Sequence, residues 1–421
     1  MKRKKLLLPL IFLCLSSCNT NETTSFDSGN LLDSIMIISD IHFLSDSLTS
    51  KLDKYLPEKI NSDGRIQEKD DEILDIIIDT ANKNNPKAVI ITGDLTYNGE
   101  KQSHLDLANK LNEINDNIDV LVIPGNHDIL STNSTDFSND ELVFAPNINS
   151  NEFKQIYINQ VYNCAYSYDE HSLSYIYEVN PNQWILMFDS AMYYNNDLND
   201  ANTVGGYILP ETITWLETHL KYAQEHNINV ISAMHHNLYI HNPLFYRGYQ
   251  LYNYEEVQSL FSKYNVKINF SGHLHIQSIK HDEINDNTIY DIATNSTGIY
   301  GHQYGLLDIH ENTYVYNSYS LLNEEQLSYS KNRFMECYKK KINSVVKQYS
   351  NEDQKIISEL LCERNAEYFR GNLYSLPKLT HKEKQLIEEF KTKINNYNNS
   401  YYRSFLEADT SINHHHLITY K

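Results

Sequence analysis

The chain has 421 residues, 41% of them hydrophobic and 12% aromatic, with 55 acidic against 35 basic side chains and a net charge of −20. That is enough apolar material for a buried core and more than one structural unit, and it excludes an intrinsically disordered chain. The acidic balance excludes a general binder of nucleic-acid polymers, which needs a basic face to displace counterions from phosphates.

The chain opens on Lys2, Arg3, Lys4 and Lys5, an apolar run over residues 6–15 broken by Pro9, and then Leu15-Ser16-Ser17-Cys18. A basic stretch, a short apolar stretch and small residues before a cut are the pattern of a secretory signal. The apolar run falls short of the roughly 20 residues that span a bilayer. Its ending resembles the bacterial lipobox, which implies that residues 1–17 are removed and Cys18 becomes a lipid-modified first residue. An ordinary signal cut near Ser17 and an uncleaved anchor helix are the other readings, and each exports the body. Membrane attachment is then through the lipid anchor alone, and the protein works outside the cytoplasm. Residues 18–33 read as a tether. Cys164, Cys337 and Cys362 show no Cys-x-x-Cys spacing, which speaks against a thiolate zinc site. An oxidising exterior permits a Cys337 to Cys362 bridge, although buried or free thiols are the preferred reading.

From residue 34 the pattern is a mixed α/β domain reaching residue 320. Apolar, β-branched runs at 34–40, 88–94, 120–126, 184–189, 229–235 and 267–273 predict strands buried on both faces. Helical periodicity over 72–84 and 100–114 places Leu107, Leu111 and Ile114 on one face, and Pro210 opens a further helix as its first residue. The predicted fold is a central β-sandwich flanked by helices. Residues 321–421 read as a small C-terminal helical domain, with helices over 323–348, 351–369 and 380–407 separated at Gly371 and Pro377.

Chemistry gathers where the strands end. Asp40-Ile41-His42, Gly93-Asp94, Gly125-Asn126-His127-Asp128, His235-His236 and Gly272-His273-Leu274-His275 each follow a predicted strand. Strand C-termini in an open α/β sheet converge on one crevice. These oxygen and nitrogen donors, without thiolate, are too many for one coordination shell and suit two ions such as Mn²⁺, Fe or Zn²⁺.

These five blocks, in this order and spacing, resemble the calcineurin-like metallophosphoesterase superfamily. Residues 99–104, 234–238, 272–277 and 291–294 resemble in particular a branch of exported bacterial phosphodiesterases with a helical C-terminal extension, described as acting on cyclic nucleotides. The resemblance implies that Asp40, His42 and His275 hold one divalent metal ion, that Asn126, His235 and His273 hold a second, and that Asp94 bridges them. It implies a catalytic His127 that steadies phosphoryl oxygens or protonates the leaving alkoxide, with Asp128 orienting its ring, although a buried turn carboxylate explains Asp128 equally well. The nucleophile is then a hydroxide held by the ions. A centre of that composition is locally positive, so the expected substrate is a small phosphoester, a diester first, while the acidic body disfavours long polyanions.

A phosphomonoesterase or nucleotidase with the same centre is the alternative, and a non-catalytic binding module on the same fold is the remaining one. The block His235-His236-Asn237 departs from the usual His-His-Pro and alters the pocket wall. His236 and Asp189 read as packing residues, as do His104, His241 and His302. His414, His415 and His416 read as a surface loop, and Lys339-Lys340-Lys341 as a solvated helix face. Truncation of the helical region is expected to change substrate range or stability and to leave the metal centre in place.

Overall fold

The structure is a computed structural model and describes residues 29–56, 64–196, 203–393 and 397–421; the leader, Cys18 and most of the tether lie outside the described residues. Fifteen strands form two large sheets and a hairpin among the described residues. In chain order they are β1 (Leu31–Ile38), β2 (Ala88–Ile91), β3 (Asp119–Val122), β4 (Thr135–Asp136), β5 (Val143–Phe144), β6 (Ala165–Tyr168), β7 (Tyr175–Asn180) and β8 (Gln183–Phe188). Then follow β9 (Asn229–Met234), β10 (Ile268–Ser271), β11 (Ser278–Ile284), β12 (Asn287–Ala293), β13 (Gln303–His310), β14 (Thr313–Ser320) and β15 (His416–Tyr420). One sheet has the order β15-β14-β13-β1-β2-β3 and the other β11-β12-β10-β9-β8-β7-β6. The strands that lead to the conspicuous polar residues are parallel neighbours, β1 to β2 to β3 in the first sheet and β8 to β9 to β10 in the second.

The helices are α1 (Leu52–Tyr55), α2 (Asp70–Asn84), α3 (Lys101–Leu111), α4 (Ser150–Ile156), α5 (Pro210–Glu225), α6 (Tyr254–Lys263), α7 (Glu324–Val345), α8 (Asn351–Phe369), α9 (His381–Lys393) and α10 (Tyr397–Leu406). β8 and β9 are buried along nearly their whole length, and alternate residues face two different clusters, as a strand covered on both faces requires. Ile185, Met187, Ile231 and Ala233 belong to the same buried cluster as Ile35, Ile90 and Leu121 of the facing sheet. The alternate residues Trp184, Leu186, Val230 and Met234 join a second cluster with Leu216 and Leu220 of α5 and Phe261 of α6. Pro210 is the first residue of α5, where its missing N–H costs nothing. No helix among the described residues is long and apolar enough to cross a membrane.

The C-terminal helices pack as a cap. Phe334 of α7, Leu361 of α8 and Phe405 of α10 form one buried cluster with Ile299 and Tyr300 of the loop after β12. Asn323 caps α7 in a capping box with Gln326, and Ser350 caps α8 through the Asp353 N–H. Cys337 and Cys362 sit on these helices as thiols, without a disulfide.

The last residues depart from a purely helical tail. β15 pairs antiparallel with β14 and completes the first sheet. The histidine triplet is accordingly not a surface loop but a staple between elements. The Ile279 N–H of β11 donates to His414 Nδ1 at 2.9 Å, and His415 Nδ1 bonds Ser318 Oγ of β14 at 2.6 Å. Residues 380–407 hold two helices, α9 and α10, where periodicity predicts one.

Candidate metal centre

The strands stop earlier than their apolar runs suggest: β1 ends at Ile38, two residues before Asp40, and β2 at Ile91, three before Asp94. The reason lies in the backbone. Asp40, His42, Asp94, His273 and His275 all have φ between 48° and 69°, the left-handed region that a strand does not accommodate. Such residues cost about 1–3 kcal/mol each and persist where the surroundings over-determine them. Here backbone bonds between neighbouring strand ends do so: the Asp40 N–H donates to Gly93 O (3.2 Å), the His42 N–H to Asp94 O (2.9 Å) and the Gly272 N–H to His235 O (3.0 Å). Gly125 and Gly272 are required for room. A Cβ at the first would strike the Asp94 carboxylate, and at the second Ser39 Oγ and Asp40 Oδ2.

Two groups of donor atoms result. Asp40, His42, Asp94 and His275 form one, Asp94, His235 and His273 the other, with the donor atoms of each group within 4.8 Å of one another. In the first, His42 Nε2 lies 3.1 Å from His275 Nε2 and 3.5 Å from Asp94 Oδ2, and His275 Nε2 lies 3.3 Å from Asp40 Oδ1. In the second, His235 Nε2 lies 3.1 Å from Asn126 Oδ1, 3.1 Å from His273 Nδ1 and 3.4 Å from Asp94 Oδ2. Asp94 is common to both. Its other oxygen, Oδ1, accepts the His127 N–H at 2.9 Å, which fixes the carboxylate with Oδ2 between the groups. All seven expected ligands therefore meet at one place.

The chemistry of these atoms fits cations. His235 Nδ1–H donates to Thr92 O (2.9 Å) and His273 Nε2–H to Gly248 O (3.1 Å), so the two nitrogens that face each other both present lone pairs in the neutral rings. Two buried carboxylates add negative charge to the same volume. Burial would raise the Asp94 carboxyl, yet His235, His127 and His42 hold it well below the usual range. Burial likewise works against a charged His235, but the Asp94 carboxylate beside it pushes the ring up to about 9. The site thus draws positive charge into a dry cluster, and its O/N donor set suits divalent ions of the Mn, Fe and Zn class.

His127 borders this cluster from the open side. Its Nδ1–H donates to Tyr97 O (3.0 Å) and Asn98 Oδ1 (2.8 Å), leaving Nε2 to face the centre 4.0 Å from Asp94 Oδ2. The His127 side chain is 30% exposed and that of His275 17%, against 1% or less for His42, Asp94 and His235, so a ligand approaches past these two rings.

Asp128 does not orient His127. Its carboxylate accepts from the N–H groups of Gly125 (2.8 Å), Leu95 (3.1 Å) and Thr96 (2.9 Å) and from the Thr96 hydroxyl (3.0 Å), tying the loop after β2 to the loop after β3. The ring is held instead by Tyr97 and Asn98. His104 is buried with Nδ1 on Tyr157 Oη and Nε2 on Asp128 O, His302 joins Thr297 O to Ser330 Oγ, and His241 bonds Asp291, so these are packing residues.

Several supports carry no sequence signal of their own. Ser39 donates to Asp40 Oδ2 and receives from Thr92 Oγ1, and Tyr249 lies over His273 with ring centroids 4.5 Å apart. Asn295 Nδ2 donates to His275 O at 2.7 Å, and the neighbouring Gln277 N–H donates to Phe369 O at the end of α8 (2.9 Å). The cap is thereby joined to the segment that carries His275, one of the clustered donors.

Comparison with solved structures returns a dimetal phosphatase from Danio rerio, 13% identical over 70% of this chain and 98% of that one, with a TM-score of 0.49. It also returns GAP50, the anchor in the inner membrane complex of Plasmodium, 10% identical over 69% of this chain and 85% of that one, with a TM-score of 0.39. No curated protein matches the chain. The family model for calcineurin-like phosphoesterases matches residues 34–277, a span that contains all seven clustered donors together with His127. By that match, more than half its length, the chain belongs to the calcineurin-like phosphoesterase family.

Proposed function

We propose that the centre hydrolyses small phosphodiesters, cyclic nucleotides among them, with Asp40, His42 and His275 holding one divalent ion, Asn126, His235 and His273 a second, and Asp94 shared between them. The observation that carries this reading is the position of Asp94 Oδ2, 3.5 Å from His42 Nε2 and 3.4 Å from His235 Nε2. When bound, such ions bring the pKa of water toward neutrality and offset phosphoryl charge.

The protein's own groups do the rest. The neutral tautomers of His235 and His273 are set by Thr92 O and Gly248 O, which aim their lone pairs inward. His127, anchored at Nδ1, presents Nε2 to the phosphoryl group; in its protonated form it donates to a phosphoryl oxygen or to the departing alkoxide. No side-chain nucleophile is needed. The diester preference draws support from the resemblance to exported phosphodiesterases and from charge, because a net −20 surface repels a dianionic monoester more than a monoanionic diester. Export by the leader and lipid anchoring at Cys18 belong to the same proposal, and loss of membrane association in Cys18→Ser tests them.

The test of function compares bis(p-nitrophenyl) phosphate with p-nitrophenyl phosphate in the presence of Mn²⁺, with Asp94→Asn as control. Faster turnover of the diester, abolished in the control, is the expected result. A preference for the monoester moves the assignment to a phosphatase or nucleotidase, and no turnover with any metal leaves a binding module.

A further inference from the structure

A groove of about 400 Å³ is lined by Tyr97 and Asn98, by the apolar side chains of Phe137, Leu142, Val143 and Phe144, and by the polar residues 132–135. Tyr97 and Asn98 are the residues that hold His127, their oxygens lying 3.0 and 2.8 Å from its Nδ1. The groove therefore shares two residues with the Nδ1 edge of the imidazole whose Nε2 faces Asp94.

Its walls are built rather than loose. The β4–β5 hairpin pairs Thr135 with Phe144 and Asp136 with Val143. The buried Glu100 carboxylate accepts the Thr135 N–H (3.2 Å) and the Asn98 N–H (2.9 Å), tying hairpin and groove floor together. The Phe137 ring is buried edge-on to Tyr97 with centroids 5.8 Å apart. Against this frame, three consecutive large apolar side chains stand in water: Leu142 is 37% exposed, Val143 46% and Phe144 51%. Contiguous exposed apolar surface on an acidic chain marks a place that something else covers. The volume is that of a small-molecule subsite, and a lining that combines aromatic and aliphatic side chains with hydrogen-bonding ones suits a flat ring with polar edges.

We propose that this groove receives an aromatic or heteroaromatic substituent of the phosphoester substrate, so that the ring lies along Tyr97 and Phe144 while the phosphoryl group reaches His127. The inference rests on the phosphoesterase reading and names the class of ester that the site prefers.

Calorimetric titration of the Mn²⁺-loaded chain with phenylphosphonate and methylphosphonate, which share a head group and are not hydrolysed, tests it. Phenylphosphonate is expected to bind at least about tenfold more tightly, the advantage of burying one ring face. In Val143→Ser/Phe144→Ser, whose changes lie on the surface and whose folding is checked by its thermal melt, that advantage is expected to fall to about threefold or less. Equal affinity of the two phosphonates for the unaltered chain, or an advantage that survives the double substitution, overturns the proposal. Turnover of bis(p-nitrophenyl) phosphate is followed in parallel, and its absence with every metal points to failure of the phosphoesterase reading instead of the subsite alone.

Discussion

His235 Nε2 and His273 Nδ1 face each other at 3.1 Å, and the carbonyls of Thr92 and Gly248 claim the proton on the far nitrogen of each ring. With both rings neutral the two lone pairs at that distance, beside Asn126 Oδ1 and the Asp94 carboxylate, repel, and either the proton that Asp94 draws onto His235 or a divalent ion relieves them, so an ion that displaces this proton binds the folded chain alone. Removal of divalent ions by a chelator is therefore expected to lower the melting temperature by several degrees, with recovery on adding Mn²⁺. A melt indifferent to chelator and metal would contradict this.

His127 and Asp128 are adjacent in sequence and separate in role. His127→Gln is expected to lower kcat by about 10²- to 10⁴-fold while bound metal per chain stays the same, because the ring lies on the open side of the cluster and outside both donor groups. Asp128→Ala leaves four donors without an acceptor and is expected to lower stability by about 2–4 kcal/mol, read by chemical denaturation. A histidine variant that loses metal would refute the division.

Asn295 ties the cap to the donor segment at His275. Its Nδ2 holds His275 O at 2.7 Å, so Asn295→Ala is expected to weaken metal binding about 10- to 100-fold in the Asp40, His42 and His275 group and little in the other. Metal titration reads this as two well-separated affinities. Equal weakening of both would refute it.

His302 gives the cap junction a pH dependence. Burial holds its ring down to about 4, despite the Thr297 carbonyl beside it, so the folded ring stays neutral where the unfolded one, near 6.5, takes a proton. The stability it contributes is thus fully present above pH 6.5 and is lost as pH falls toward 4, by about 2–3 kcal/mol. Denaturation midpoints for His302→Gln are expected to fall less steeply over that window than those of the unaltered chain. Parallel curves would refute the assignment.

The legible parts of this molecule were those written in periodicity and in order. Strand runs ending at Asp40, Asp94, Asn126, His235 and His273 gave both the sandwich and the donor set, because each run needs two buried faces and each ligand needs a turn immediately after it. Strand ends were drawn too long, since nothing in an apolar run announces that Asp40 or Asp94 adopts a positive φ. For Asp128 the sequence leaves two roles open, because adjacency to His127 suggests a partner while a turn carboxylate fits as well, and the turn directs its carboxylate toward the backbone of residues 95, 96 and 125. Tyr97, Asn98 and Asn295 were invisible, as their roles come from long-range packing and not from any local pattern. β15 was hidden among helices because five alternating residues at a chain end carry little periodic signal.

The central claim is that Asp94 joins two cation sites into one centre, and metal stoichiometry tests it most directly. Equilibrium dialysis of the purified chain with Mn²⁺, read by elemental analysis, is expected to give two ions per chain, and Asp94→Asn is expected to lose affinity at both sites together. A stoichiometry of one or none, or an Asp94→Asn variant that keeps one site at full affinity, would contradict the account.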